Sequence, residues 1–222
     1  MKKLNVIPLV FIVGLFGSCL TDNINTINVK GNGNLITSEK PVSSFEKINI
    51  AGSAEVRFYA SQEYRTKVTV DSNLLEYTEI ETRGNTLNIG KISGNYSLNF
   101  TKYLVEVYCP AVNSVSISGS GSFVGMESIN VSTFTAVISG SGNIIAAGNG
   151  GESEIDISGS GNFNGDEFGV NKAVVRISGS GKANINVSEY LNAKISGSGI
   201  INYSGSPKID SKISGSGRLN KL

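Results

Sequence analysis

Residues 155–161 read I-D-I-S-G-S-G and residues 175–181 read V-R-I-S-G-S-G. The pentapeptide I-S-G-S-G occurs six times, starting at Ile117, Ile138, Ile157, Ile177, Ile195 and Ile213, with successive spacings of 21, 19, 20, 18 and 18 residues. A near-constant period of this length marks one supersecondary unit stacked on itself. Positions two before, at and six after the motif isoleucine are mostly apolar, as in Val115, Ile117 and Phe123 or Ile155, Ile157 and Phe163. Even offsets on a strand share one face, so these side chains point inward, and Ser116, Asp156, Arg176 and Lys194 point outward. Ser211 breaks the pattern in the last copy, as terminal repeats of a stack often do.

Each copy carries two alternate glycines: Gly119 and Gly121, Gly140 and Gly142, Gly159 and Gly161, Gly179 and Gly181, Gly197 and Gly199, Gly215 and Gly217. Their repetition predicts a corner where the backbone bends or takes positive φ. About twenty residues accommodate three short strands with their corners. The chain is therefore predicted to be all-β, a parallel β-helix or related β-solenoid in which the six motif isoleucines form one interior ladder. Burying each isoleucine would contribute roughly 1.5–3 kcal/mol before entropy is counted.

Upstream of the repeats the β pattern continues less regularly. Ile48, Ile50, Ala54, Val56 and Phe58 alternate through I-A-G-S-A, a degenerate copy of the motif at Ile50. Val68 and Val70, Leu87 and Ile89, and Val105 and Val107 mark further strands, and Arg83-Gly84-Asn85 reads as a hairpin turn. The N-terminus has a different character. Lys2 and Lys3 precede an apolar run from Val6 to Phe16, too short to span a bilayer but suited to a signal-peptide core. Phe16-Gly17-Ser18-Cys19 then resembles a lipobox, which makes Cys19 the expected lipidation site and gives three regions: a signal peptide 1–18, a tether 19–40 and a β-helical domain 41–222. Acyl chains on Cys19 would anchor the protein in a membrane, at about 0.8 kcal/mol per buried methylene.

Loss of residues 1–18 leaves 17 basic against 18 acidic residues, a balance that argues against nucleic acid as a partner. With Cys19 lipidated, Cys109 is the one thiol left, so no internal disulfide forms, and a buried inert thiol is expected there. The chain has no histidine, which excludes Ser-His-Asp chemistry and histidine-ligated zinc. Gly179-Ser180-Gly181-Lys182 fails as a phosphate loop because Ala183 follows where Ser or Thr is required. Gly159 to Asp166 fails as a calcium repeat because no carboxylate recurs on successive turns. No cofactor and no metal site is expected.

The order F-E-K-I-N-I-A-G-S-A-E-V from Phe45, T-L-N-I from Thr86, V-E-V-Y-C-P from Val105 and V-S-I-S-G-S-G from Val115 resembles the auto-transporter adhesin, head GIN domain family, common in lipoproteins of Bacteroidetes. The resemblance covers roughly residues 41–222. It implies a β-helical fold and a cell-envelope location, placed here at the outer membrane, and brings no catalytic residues. Two function classes follow. One is a binding module without catalysis, taking a glycan, a protein or a second copy of the chain through rows of Ser, Asn and Thr, with Phe134, Phe168, Tyr190 and Tyr203 as aromatic contacts. The other is a polysaccharide lyase or hydrolase using Glu152, Glu154, Asp156, Asp166 and Glu167; their alternation with interior isoleucines favours an ordinary outer face.

Overall fold

In the computed structural model, which describes residues 26–222, nearly every element is a strand. Eight strands stack in parallel: Thr86–Lys91, Lys47–Gly52, Ser114–Gly119, Ile129–Gly140, Gly148–Gly159, Asn162–Gly179, Lys182–Gly197 and Lys208–Gly215. The register aligns Ile89, Ile50, Ile117, Ile138, Ile157, Ile177, Ile195 and Ile213 in one column. The expected solenoid is the observed one, and the degenerate copy at Ile50 is its neighbour below Ile117.

Beyond the glycine corner a second sheet aligns Val105, Val56, Phe123, Ile144, Phe163, Ala183, Ile201 and Leu219. All of these except the terminal Leu219 are buried, and large residues alternate with small ones where Phe163 meets Ala183. Phe134 and Phe168 pack inside, their ring centroids 5.1 Å apart. They are core residues, unavailable as ligand contacts, whereas Tyr190 and Tyr203 are half-buried.

The two glycines of each corner answer different constraints. Gly159 has φ 118°, where a Cβ would sit 2.5 Å from the carbonyl oxygen of Gly140 in the neighbouring coil. Gly181 needs space: a Cβ there would lie 2.6 Å from Ile157 Cγ2. Between such glycines the coils are bonded through the corner, with Ser160 N–H donating to Gly140 O at 2.9 Å and Asn162 N–H to Gly142 O at 2.9 Å. Gly179-Ser180-Gly181-Lys182 is one of these corners.

Between residues 61 and 113 the repeat gives way to a cap on one end of the stack, with Thr86–Lys91 and Tyr103–Cys109 still paired in parallel to the first coil. Arg65–Asp71 runs antiparallel to both Leu35–Lys40 and Tyr103–Cys109, and Thr78–Arg83 makes the expected hairpin with Thr86–Lys91. Leu35–Lys40 belongs to this cap, and Ile27–Lys30 pairs with Tyr96–Asn99. The tether expected over 19–40 is thereby corrected for 27–40: alternating Ile36 and Ser38 face Val70 and Val68 across the ladder, and Asn-rich composition hid that pairing. Residues 19–25, with Cys19 and the expected signal peptide, lie outside the described residues.

The opposite end differs. Ile213 continues the isoleucine column but is 41% exposed, against 3% for Ile195 one coil below. The ladder is interior for five of its six motif members, and the expected burial of Ile213 is corrected because no further coil covers it among the described residues.

Candidate binding face

The outer face of the motif sheet carries two columns with the spacing of the coils, about 4.8 Å. From Ile138 onward, the position before the motif isoleucine supplies Val137, Asp156, Arg176, Lys194 and Lys212, which the strand register stacks in that order. The position after it supplies Ser139, Ser158, Ser178, Ser196 and Ser214, all exposed. Between the columns runs an open groove of about 680 Å³ along the stack. Hydroxyls thus form one wall, and Val137 followed by four charged side chains forms the other.

Charge changes sign along this groove. Arg176 bridges Glu154 and Asp156, the latter at 3.0 Å, and these two carboxylates push its guanidinium pKa further up, Glu154 most. Glu152 pairs with Lys172 at 3.3 Å. Lys194 and Lys212 have no ion-pair partner among the described residues. The groove therefore offers two free ammonium groups beyond Arg176, each beside a serine hydroxyl.

The carboxylates considered for catalysis are separated by the fold. Glu152, Glu154 and Asp156 lie on the motif sheet, where Glu154 and Asp156 are 47% and 38% exposed. A general acid needs a desolvated carboxyl, whereas these two share a guanidinium in water. Asp166 lies past the corner, where it accepts from Asn184 Nδ2 at 2.9 Å, and Glu167 is exposed beside it. The five do not converge on one groove. Among the described residues no group of His, Cys, Asp or Glu has the arrangement of a metal site.

Cys109 is buried, its Sγ 3.6 Å from Ala111 O, and burial pushes its thiol pKa up to about 12. It is the inert thiol its sequence context predicts.

Two features escaped the sequence reading. The first is a polar ladder in which Asn220 donates to Asn202 at 3.0 Å, Asn202 to Asn184 at 2.9 Å, and Asn184 to Asp166. The three asparagines each lie seven residues after a motif isoleucine, so the repeat spacing could have revealed them. The second is Asp71, a buried carboxylate in the cap that accepts N–H bonds from Gly33 and Thr101, each at 2.8 Å. Its partners are distant in sequence, and no local signal marks it.

The family model for "Putative auto-transporter adhesin, head GIN domain" matches residues 44–207. No curated protein matches the chain. Among solved structures, a "putative lipid binding protein" from Parabacteroides distasonis ATCC 8503 is 26% identical, covering 88% of this chain and 99% of its own at a TM-score of 0.55. A "putative adhesin" from Bacteroides fragilis NCTC 9343 is 20% identical, covering 87% of this chain and 100% of its own at a TM-score of 0.68. Another from Parabacteroides merdae ATCC 43184 is 22% identical, with 88% and 99% covered and a TM-score of 0.56. The last two share the fold. With the family model spanning most of the chain and the motif column, glycine corners and cap all in place, this chain belongs to the head GIN domain family of auto-transporter adhesin type.

Proposed function

We infer that this protein is a non-catalytic adhesin of the cell envelope, lipid-anchored through Cys19 at the outer membrane, whose binding surface is the groove on the motif sheet. The observation that carries the reading is the pair of columns: serine hydroxyls on the five coils from Ser139 to Ser214, facing Arg176, Lys194 and Lys212 across an open groove. A ligand suited to such a surface is long, rich in hydroxyls and negatively charged, which describes an acidic polysaccharide. Contacts recur with the coil, so affinity grows with ligand length through many weak bonds. Ammonium groups in water steer such a ligand and lose strength as salt screens them. The exposed, ion-paired state of Glu154 and Asp156 supports binding over a lyase or hydrolase reaction.

The test is affinity electrophoresis of the protein through gels containing an acidic or a neutral polysaccharide. Retardation is expected in the acidic gel, weakening as salt is raised. Lys194→Glu, which reverses one free charge at an exposed position, should abolish most of it. Equal mobility of parent and variant in the acidic gel would remove the groove from the proposal.

A further inference from the structure

We propose that the solenoid end left open among the described residues is a self-association surface at which two copies of this chain join, strand against strand, about a two-fold axis through Ser211. The last motif strand, Lys208–Gly215, bonds along one edge to Lys182–Gly197, and its other edge takes no strand among the described residues. Arg218–Lys221 likewise pairs with Ile200–Ser204 alone. Core positions are left bare there. Ile209 and Ile213 are 39% and 41% exposed, while Leu191 and Ile195, which hold the same positions one coil below, are 0% and 3% exposed. The other end of the stack is covered by the antiparallel cap. An open strand edge beside exposed apolar residues is a template for another chain.

The sequence of that edge selects the occupant. Residues 209–213 read I-D-S-K-I, a palindrome in which an acid and a base exchange places about Ser211. When two such strands run antiparallel with Ser211 opposite Ser211, Ile209 of each meets Ile213 of the other and Asp210 of each meets Lys212 of the other. Directly opposed residues share a face of the sheet. The isoleucines therefore meet on the interior side, continuing the core, and the ion pairs form on the outer side.

Neighbouring registers fail. A shift of one residue sets outward Asp210 against inward Ile213, which the pleat forbids. Centring the axis on Lys212 places that lysine against itself, and centring it on Asp210 places Asp210 against itself with Lys208 against Lys212. Centring it on Ile209 keeps a Lys208–Asp210 pair but sets Ser211 against Pro207, which has no N–H to give, and leaves Ile213 uncovered, so the Ser211 register is the one that satisfies charge and face over all of residues 209–213. A two-fold contact of this kind uses the same patch on both copies, so it closes at two and does not propagate into a filament. The two grooves then meet end to end, with Lys194 of each copy still open to ligand.

The experiment is a mass measurement by light scattering on the full chain, purified in mild detergent with the detergent contribution subtracted, for three proteins. The parent is expected to be dimeric at micromolar concentration. Asp210→Lys, which opposes lysine to lysine twice, should be monomeric, and the charge exchange Asp210→Lys with Lys212→Asp should restore the dimer. Circular dichroism of each variant establishes that the fold is retained. A monomeric parent would overturn the proposal, as would a dimer that survives Asp210→Lys or that fails to return in the folded charge-exchanged variant.

Discussion

Asp71 illustrates how a single residue can fasten three parts of the chain. Burial alone would push its carboxyl pKa up, yet the N–H bonds from Thr101 and Gly33 outweigh it and hold the pKa below the ordinary value. A carboxyl depressed in the folded state stabilises the fold above its unfolded pKa of about 3.9, and that contribution is lost as pH falls through the folded value. Asp71→Asn replaces an acceptor with a donor facing N–H groups, so a lower melting temperature is expected at neutral pH. The gap from the parent should narrow as pH drops below the carboxylate range, and thermal melts across pH would show it. A gap that stays constant into acid would refute the clamp. At the corner, Gly159→Val meets both positive φ and the Gly140 carbonyl, and should destabilise by more than the ~1 kcal/mol of an average substitution. Ser160→Ala, at an exposed hydroxyl, should change the melt far less. Equal melts for both variants would argue against stacked corners.

At the scale of the element, the repeat was the most legible part of the chain. Register followed from the motif because its glycines allow stacking only in phase, so Asp156, Arg176 and Lys194 could be set outward from parity alone. The charge column became a groove wall only once Lys212 joined it and its pairing left two lysines free. The asparagine ladder was harder to see, because amide stacking depends on a corner that alternation does not describe. Asn202 is 8% exposed and both donates and accepts in that ladder. Asn202→Ala removes both bonds and strands its neighbours, so a loss of about 1–3 kcal/mol is expected in a denaturant titration. A variant as stable as the parent would mean that the ladder is ornamental. The cap was the least legible element. Its strands at 35–40 and 65–71 pair antiparallel across about thirty residues, without a repeating phase to announce them.

Among the described residues the molecule is a stack with one closed end and one open end. The chain enters at the cap, where Ile27–Lys30 lies, so a lipid on Cys19 would hold the closed end toward the membrane and present the open end away from it. The anchor has its own test. Cys19→Ala should convert a membrane-pelleting, detergent-extractable protein into a soluble or slowly processed one, seen by fractionation; equal pelleting of both would dismiss the lipobox. The central claim is that the solenoid binds without turnover. The most direct measurement mixes the protein with an acidic polysaccharide, quantifies bound chains by co-sedimentation, and assays the same mixture for new reducing or unsaturated ends. Saturable, salt-sensitive binding with unchanged chain ends is the expected result. Chain cleavage that disappears in Glu154→Gln or Asp166→Asn would contradict the account and make the protein a carbohydrate-active enzyme.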